Sequence, residues 1–175
     1  RAAAGILVGS RGGVVIDGCY NSGSISGNVT TTTKDGVGGI AGYLQGYKGA
    51  CAVRNCYNLG TINGGTISAG LVGNLYNGAS ISNCYNMGET YYAIAGYAYN
   101  KTSTVSNSYY LASASTEAVP SAKLHDGISA EQKTRNEMGA AEFAGTLGNS
   151  FKASCPAPVL SWQTAAVKTG PRLPT

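Results

Sequence analysis

Apolar residues in the first 111 positions fall in short clusters rich in Val and Ile, each bounded by Gly and Asn. Val15-Ile16, Val53, Ile81 and Val105 stand a few residues ahead of an asparagine-containing turn, and Ser24-Ile25-Ser26 and Thr61-Ile62-Asn63 follow one. Clusters of this kind predict strands of about 3 to 6 residues between tight turns. Within Val53-Arg54-Asn55-Cys56-Tyr57-Asn58, alternation sends Arg54 to solvent and Val53, Ile81 and Val105 inward. With Asn55 as a bend, Cys56 returns to the interior and Tyr57 lies outside. The opposite phase, with Tyr57 inside, is the alternative.

The clusters belong to a repeat. One element reads Leu7-Val8-Gly9, Gly39-Ile40-Ala41-Gly42, Gly70-Leu71-Val72-Gly73 and Ala93-Ile94-Ala95-Gly96. A second follows each first one: Gly18-Cys19-Tyr20-Asn21-Ser22-Gly23, Asn55-Cys56-Tyr57-Asn58-Leu59-Gly60, Asn83-Cys84-Tyr85-Asn86-Met87-Gly88 and a degenerate Asn107-Ser108-Tyr109-Tyr110. From Cys19 to Cys56 to Cys84 to Ser108 the steps are 37, 28 and 24 residues, so insertions enter at one corner. Repeats of this length with short strands predict an all-β fold, a parallel β-solenoid (β-helix) of about four coils, each burying its apolar face against its neighbour. Cys19, Cys56, Cys84 and Ser108 are then one inward column, a small thiol suiting a crowded corner. Asn21, Asn58 and Asn86 form a second ladder, their amides satisfying turn backbone.

After Leu111 the pattern changes. All 12 tyrosines lie between Tyr20 and Tyr110, and charges concentrate beyond them. Residues 1–111 are expected to form the repeat, 112–163 a helical cap with a final strand, and 164–175 a linker. Ala112 to Gly127 reads as a loop. Ser129-Ala130-Glu131-Gln132 has a capping-box pattern that predicts a helix start, with Glu131 and Arg135 four apart. Gly139 separates a second turn, in which Ala140, Phe143, Leu147 and Phe151 share a face and Gly148 ends it. Phe143, Leu147 and Phe151 are expected to cover the open end of the coils, and Pro158-Val159-Leu160-Ser161-Trp162 to add a strand anchored by its Trp.

The composition narrows the function classes. With 26 Gly in 175 residues and 11% charged residues, the chain is unlike an ordinary globular enzyme, and 43% hydrophobic content is too high for disorder. The 12 Lys and Arg, for a net charge of +4, are scattered singly, which argues against nucleic acid as a partner. No apolar stretch approaches the roughly 20 residues of a membrane helix, so no membrane insertion is expected. Arg1 leads straight into a repeat element, which reads as part of something longer. Of the five cysteines, Cys51 and Cys56 are spaced too loosely, and lie too far from His125, for a zinc site. Whether Cys51 and Cys155 pair stays open. No metal and no cofactor are expected.

The paired G-[IL]-[AV]-G and N-C-Y-N-x-G elements, over residues 5 to 110, resemble the GLUG-motif repeats of bacterial extracellular and cell-wall-associated proteins. The helix followed by P-x-L-x-W at Pro158 to Trp162 resembles the close of GLUG-type segments. The resemblance implies an extracellular, bacterial cell-surface protein, adhesin-like, in which this segment is monomeric within a larger chain. It implies no activity. The copy at Ala93, Ser108 and Glu89-Thr90-Tyr91-Tyr92 departs most from the pattern.

β-Helices include carbohydrate-active enzymes, and glycoside hydrolysis usually needs two carboxyl groups at one bond. Within the repeat the acids are Asp17, Asp35 and Glu89, none of them paired on one face, and His125 reads as a turn residue. No catalytic residue is therefore expected. The candidate ligand-binding residues are Tyr43, Tyr47, Tyr76, Tyr97 and Tyr99, at the corner where insertions vary, since tyrosine offers rigid contact area with a polar tip. A host protein, such as immunoglobulin or mucin, or a glycan is the expected partner. Two bland readings stand beside this one: aromatics that merely cover turns, and a spacer that projects other domains.

Overall fold

The computed structural model describes residues 2–29, 35–100, 102–120 and 125–164. The Thr30 to Lys34 insertion and all but Thr164 of the expected linker lie outside them. The chain runs through one set of short strands repeatedly. The first pass is β1 (Ala3–Ala4), β2 (Leu7–Ser10), β3 (Val14–Asp17), β4 (Tyr20–Asn21) and β5 (Ile25–Ser26). The second is β6 (Val37–Gly38), β7 (Ala41–Gln45), β8 (Cys51–Arg54), β9 (Tyr57–Asn58) and β10 (Ile62–Asn63). The third has β11 (Ser68–Ala69), β12 (Val72–Tyr76) and β13 (Ser80–Asn86), and the fourth β14 (Ala95–Tyr99) and β15 (Thr104–Leu111). A further strand, β16 (Ile128–Lys133), is followed by the helices α1 (Arg135–Gly139) and α2 (Ala141–Leu147) and by β17 (Phe151–Lys152) and β18 (Val159–Leu160).

Up to β16 the strands pair in parallel with their counterparts one pass on, giving the orders β2-β7-β12-β14, β3-β8-β13-β15-β16 and β1-β6-β11, whereas β17 and β18 pair antiparallel. Parallel pairing follows from the repeat, because the rest of the pass supplies the long crossover that parallel strands require. The molecule is thus all-β, with two short helices among the described residues. Ile16, Val53, Ile81, Val105 and Ile128 stand in one register column. They pack with Ile40, Leu44, Leu71, Leu75, Ile94 and Val119 in the main core.

The two motifs touch each other. A Cβ on Gly39 would lie 2.7 Å from the Asn58 amide oxygen and 2.1 Å from the Gly70 carbonyl oxygen. A Cβ on Gly70 would lie 2.2 Å from Asn86 Cγ. The first glycine of one motif is therefore the seat of the second asparagine of the other. In the fourth pass Ala93 replaces that glycine, and Tyr110 stands in register where the asparagine would be. Both departures from the pattern are one change. Register also corrects the first copy: Leu7 pairs with Ala41, so the copy is Gly5-Ile6-Leu7-Val8, with exposed Val8 in the last glycine's place.

The tyrosine beside the cysteine does leave the main core, but it does not reach solvent. Tyr57 and Tyr85 are buried in a second cluster with Leu111, Met138, Phe143, Leu147, Phe151 and Leu160. Their rings stack at 4.9 Å, with Tyr20 stacked on Tyr57 at 5.1 Å. The expected end cap is therefore a side clamp: Phe143, Leu147 and Phe151 lie on the tyrosine column, not over the open end. The Tyr57 hydroxyl donates to Gln163 Oε1 at 2.8 Å and that of Tyr85 to the Pro158 carbonyl. Trp162, although 64% exposed, reaches back to the first pass and donates to the Gly18 carbonyl oxygen at 3.3 Å.

The helix expected from Ser129 is strand β16, in which Ala130 pairs with Ser108 and Gln132 with Tyr110. Ile128 and Ala130 continue the inward columns, and their packing outweighs the local capping signal. The capping box forms one turn later, where Thr134 Oγ1 accepts from the Glu137 N–H at 3.3 Å and Glu137 Oε2 accepts from the Thr134 N–H at 2.7 Å. Glu131 pairs with Lys133 and not with Arg135. Within the expected loop, Glu117 and Ala118 accept from the Ala93 and Ile94 N–H groups, both at 2.8 Å. Ala140 is the N-cap of α2 and Gly148 its C-cap.

Two outcomes follow. Gly70→Ala should lose about 3 kcal/mol or more of stability through steric displacement of Asn86, read as a lowered denaturant midpoint, whereas Gly145→Ala, with open space at its Cβ, should not. Burial pushes the Tyr57 phenol from 10.0 up to about 12, and that of Tyr85 upward as well. A phenol whose pKa is raised in the fold contributes stability that is complete below the unfolded value and is lost as pH climbs through the folded one. Unfolding free energy should therefore fall between pH 10 and about 12, by roughly 1.4 kcal/mol per pH unit and tyrosine. Tyr57→Phe should flatten that fall in denaturant melts across this range.

Candidate binding surface

The sheet β2-β7-β12-β14 presents the candidate tyrosines by alternation. Leu44, Leu75 and Ala98 share a column and point into the core. The columns on either side, Tyr43-Asn74-Tyr97 and Gln45-Tyr76-Tyr99, take the other face. Tyr76 and Tyr99 stack with ring centroids 4.2 Å apart and planes 3° from parallel. Tyr97 lies 6.0 Å from Tyr99 and Tyr43 lies 6.4 Å from Tyr76, so four of the five candidates form one strip.

They are not equally available. Tyr43 is buried, and its hydroxyl donates to Gln45 Oε1 at 2.8 Å. Burial pushes its phenol up, against the pull of nearby Arg11. Tyr97 packs against Val29, Val37, Ile62 and Ile67. Tyr99 and Tyr47 are exposed, at 41% and 71%. Tyr47 stands apart from the strip on the turn at 46–50 and faces Tyr76 across a cleft of about 440 Å³, which Arg11, Gln45, Lys48 and Asn77 complete. The turns of three successive passes meet there, and left-handed backbone at Gly13, Gly49 and Asn77 lets them reverse tightly.

The cysteine column is where the repeat placed it, built into the scaffold. Cys56 and Cys84 are buried, and each thiol donates to the carbonyl two residues back at 3.0 Å, as the Ser108 hydroxyl does at 2.9 Å. Burial raises the Cys84 thiol well above its ordinary pKa, which keeps it protonated. A hydrogen bond from Cys84 lowers that of Cys56. All five cysteines are free thiols, Cys51 buried and Cys155 exposed. Asn21 Nδ2 donates to Asn58 Oδ1, and Asn58 Nδ2 to Asn86 Oδ1, each at 2.7 Å, while every amide also closes its own turn. A second ladder at the bend, Asn107 to Asn83 to Asn55, was not foreseen as one; its members have left-handed backbone, and it ends where Asn55 Nδ2 donates to Asp17 Oδ1 at 2.7 Å.

The remaining polar candidates sit singly. Asp17 pairs with Arg54 at 2.9 Å, Glu89 is exposed, and His125 Nδ1 accepts from the Gly127 N–H at 3.1 Å. Among the described residues no three His, Cys, Asp or Glu side chains converge on a metal position. No described helix is long and apolar enough to cross a membrane. A second groove, of about 530 Å³, lies between Thr90, Tyr91, Tyr92, Ser113, Thr116 and Glu117. Sequence reading passed over it because Tyr91 and Tyr92 interrupt a strand pattern; two adjacent tyrosines beside the most degenerate copy were the available signal.

A repeat-built all-β chain of parallel sheets with an aromatic corner is the class this geometry defines. The GLUG motif model matches residues 36–63, which span the second pass from β6 to β10, so the chain carries the GLUG motif. No curated protein and no solved structure matches the chain.

Proposed function

We propose that the chain is a GLUG β-solenoid of four coils with a partial fifth at β16, and that it serves as a non-catalytic binding module of an extracellular, bacterial cell-surface protein. The observation that carries this reading is the strip Tyr43-Tyr76-Tyr99-Tyr97 beside the cleft under Tyr47. Motif residues elsewhere are consumed in packing and ladders, whereas this corner leaves ring surface uncovered. Tyrosines that lose little side-chain entropy on binding make effective recognition surfaces. The partner is a host protein, immunoglobulin or mucin for example, or a glycan. Asp17, held by Arg54 and Asn55, gives little support to a carbohydrate-active enzyme.

The second reading is a spacer, favoured by the side clamp, which ties the first pass to the fourth through Trp162 and Phe143 and so stiffens the ladder lengthwise. Binding measured against immobilised mucin, host glycans and immunoglobulin separates the two. The binding reading expects one of these to be retained, with Tyr47→Ala and Tyr99→Ala each weakening it about tenfold. Uniform failure to bind by the folded wild-type chain leaves the spacer.

A further inference from the structure

The cleft at the turns has a one-sided chemistry. Among the described residues neither Arg11 nor Lys48 has an ion-pair or side-chain hydrogen-bond partner, both are exposed, and no Asp or Glu lines the cleft. The two amides that complete it have their oxygens engaged: Gln45 Oε1 accepts from Tyr43 at 2.8 Å, and Asn77 Oδ1 accepts from Asn100 Nδ2 at 2.6 Å. Each oxygen thus has one of its two acceptor positions taken, while neither NH2 group has a partner among the described residues. Every charged or amide side chain of the cleft is therefore a hydrogen-bond donor, two of them cationic, beneath the Tyr47 and Tyr76 rings.

We infer that this cleft takes an anionic saccharide unit, a sugar ring bearing a carboxylate or a sulfate. This rests on the binding reading above and names its ligand class. A donor-rich wall with two cations and no carboxylate among its described residues is complementary to an acceptor-rich anion, since charge-assisted hydrogen bonds from guanidinium and ammonium are stronger than neutral ones. An extended peptide brings an N–H at nearly every residue, and each amide oxygen here has one of its two acceptor positions already taken. The flanking phenol rings suit the C–H face of a sugar, and about 440 Å³ is room for a small ligand, not for a folded partner. Attraction between the two cations and the anion is screened by salt.

The test is calorimetric titration of the chain with four probes: a disaccharide carrying one uronic acid, the same disaccharide with its carboxyl reduced to the alcohol, that reduced disaccharide carrying one O-sulfate, and a Glu-rich peptide. The uronic or sulfated sugar should bind at least about tenfold more tightly than the reduced one, with affinity falling as salt rises. Whichever acid binds identifies the group. Arg11→Gln with Lys48→Gln should abolish that preference while circular dichroism and melting stay unchanged, since neither side chain has a partner to lose. Equal affinity for charged and reduced sugars, removed by Tyr47→Ala but untouched by the double variant, overturns the inference and leaves the binding reading intact. Tighter binding of the peptide overturns the saccharide assignment. No binding of any sugar overturns it as well, and the binding reading is then judged on proteins alone.

Discussion

Stacking one pass of backbone directly on the next is the constraint from which the other features follow. At the Gly39 and Gly70 positions, backbone of adjacent passes and an asparagine side chain meet in a space that has no room for a methyl group. The asparagine cannot move away, because its amide closes its own turn and is hydrogen-bonded to a neighbouring asparagine in the column, Asn58 donating to Asn86. Glycine and asparagine, some 16 to 19 residues apart in sequence, are therefore one packing unit. This is why the two motifs travel together and why they decay together at Ala93 and Tyr110.

Features fixed by periodicity were readable from the chain alone. A column needs the same residue type at the same place in each pass, so Cys19-Cys56-Cys84-Ser108 and Asn21-Asn58-Asn86 announced themselves, as did the inward Val53, Ile81 and Val105. The fifth strand did not. Ile128 and Ala130 fit the columns by size and apolarity but lack the asparagine, tyrosine and glycine that mark a copy, while Ser129-Ala130-Glu131-Gln132 carries a local helix signal. Long-range pairing decided the outcome, and a single sequence holds little trace of it. The first copy slipped by one residue for a related reason: Gly9 resembles the closing glycine, and only the pairing of Leu7 with Ala41 reveals Val8 in that place.

The tyrosine phase shows a different limit. Alternation assigned Tyr57 correctly to the side away from the cysteine column, but it could not say what lies on that side. Two aromatic columns emerge from the same repeat, and their fates diverge because of the C-terminal segment. Residues 135–163 cover Tyr20, Tyr57, Tyr85 and Tyr109 with Met138, Phe143, Leu147 and Leu160. Among the described residues nothing covers the strip at Tyr76 and Tyr99 in that way. Which aromatics became core and which stayed available was settled by where the clamp docks, a tertiary event with no local signature.

The corner that stays open is also the corner where the repeat tolerates variation. In the first three passes the turns between the strands of the two larger sheets run 11–13, 46–50 and 77–79, and the second, longer one carries Tyr47 and Lys48. A ladder of identical passes would have presented identical turns and a flat edge. Lengthening a single turn raises a wall between two shorter neighbours, and the cleft is the step in height that results. Asn77 and Gly46 in these turns still answer to stacking, but the exposed Tyr47 and Lys48 side chains make none of the ladder contacts, so their identity is free of the constraint that fixes the motifs. A fold this repetitive therefore gains an individual site through the residues its repeat does not specify, and chemistry on it should be sought first at the turns.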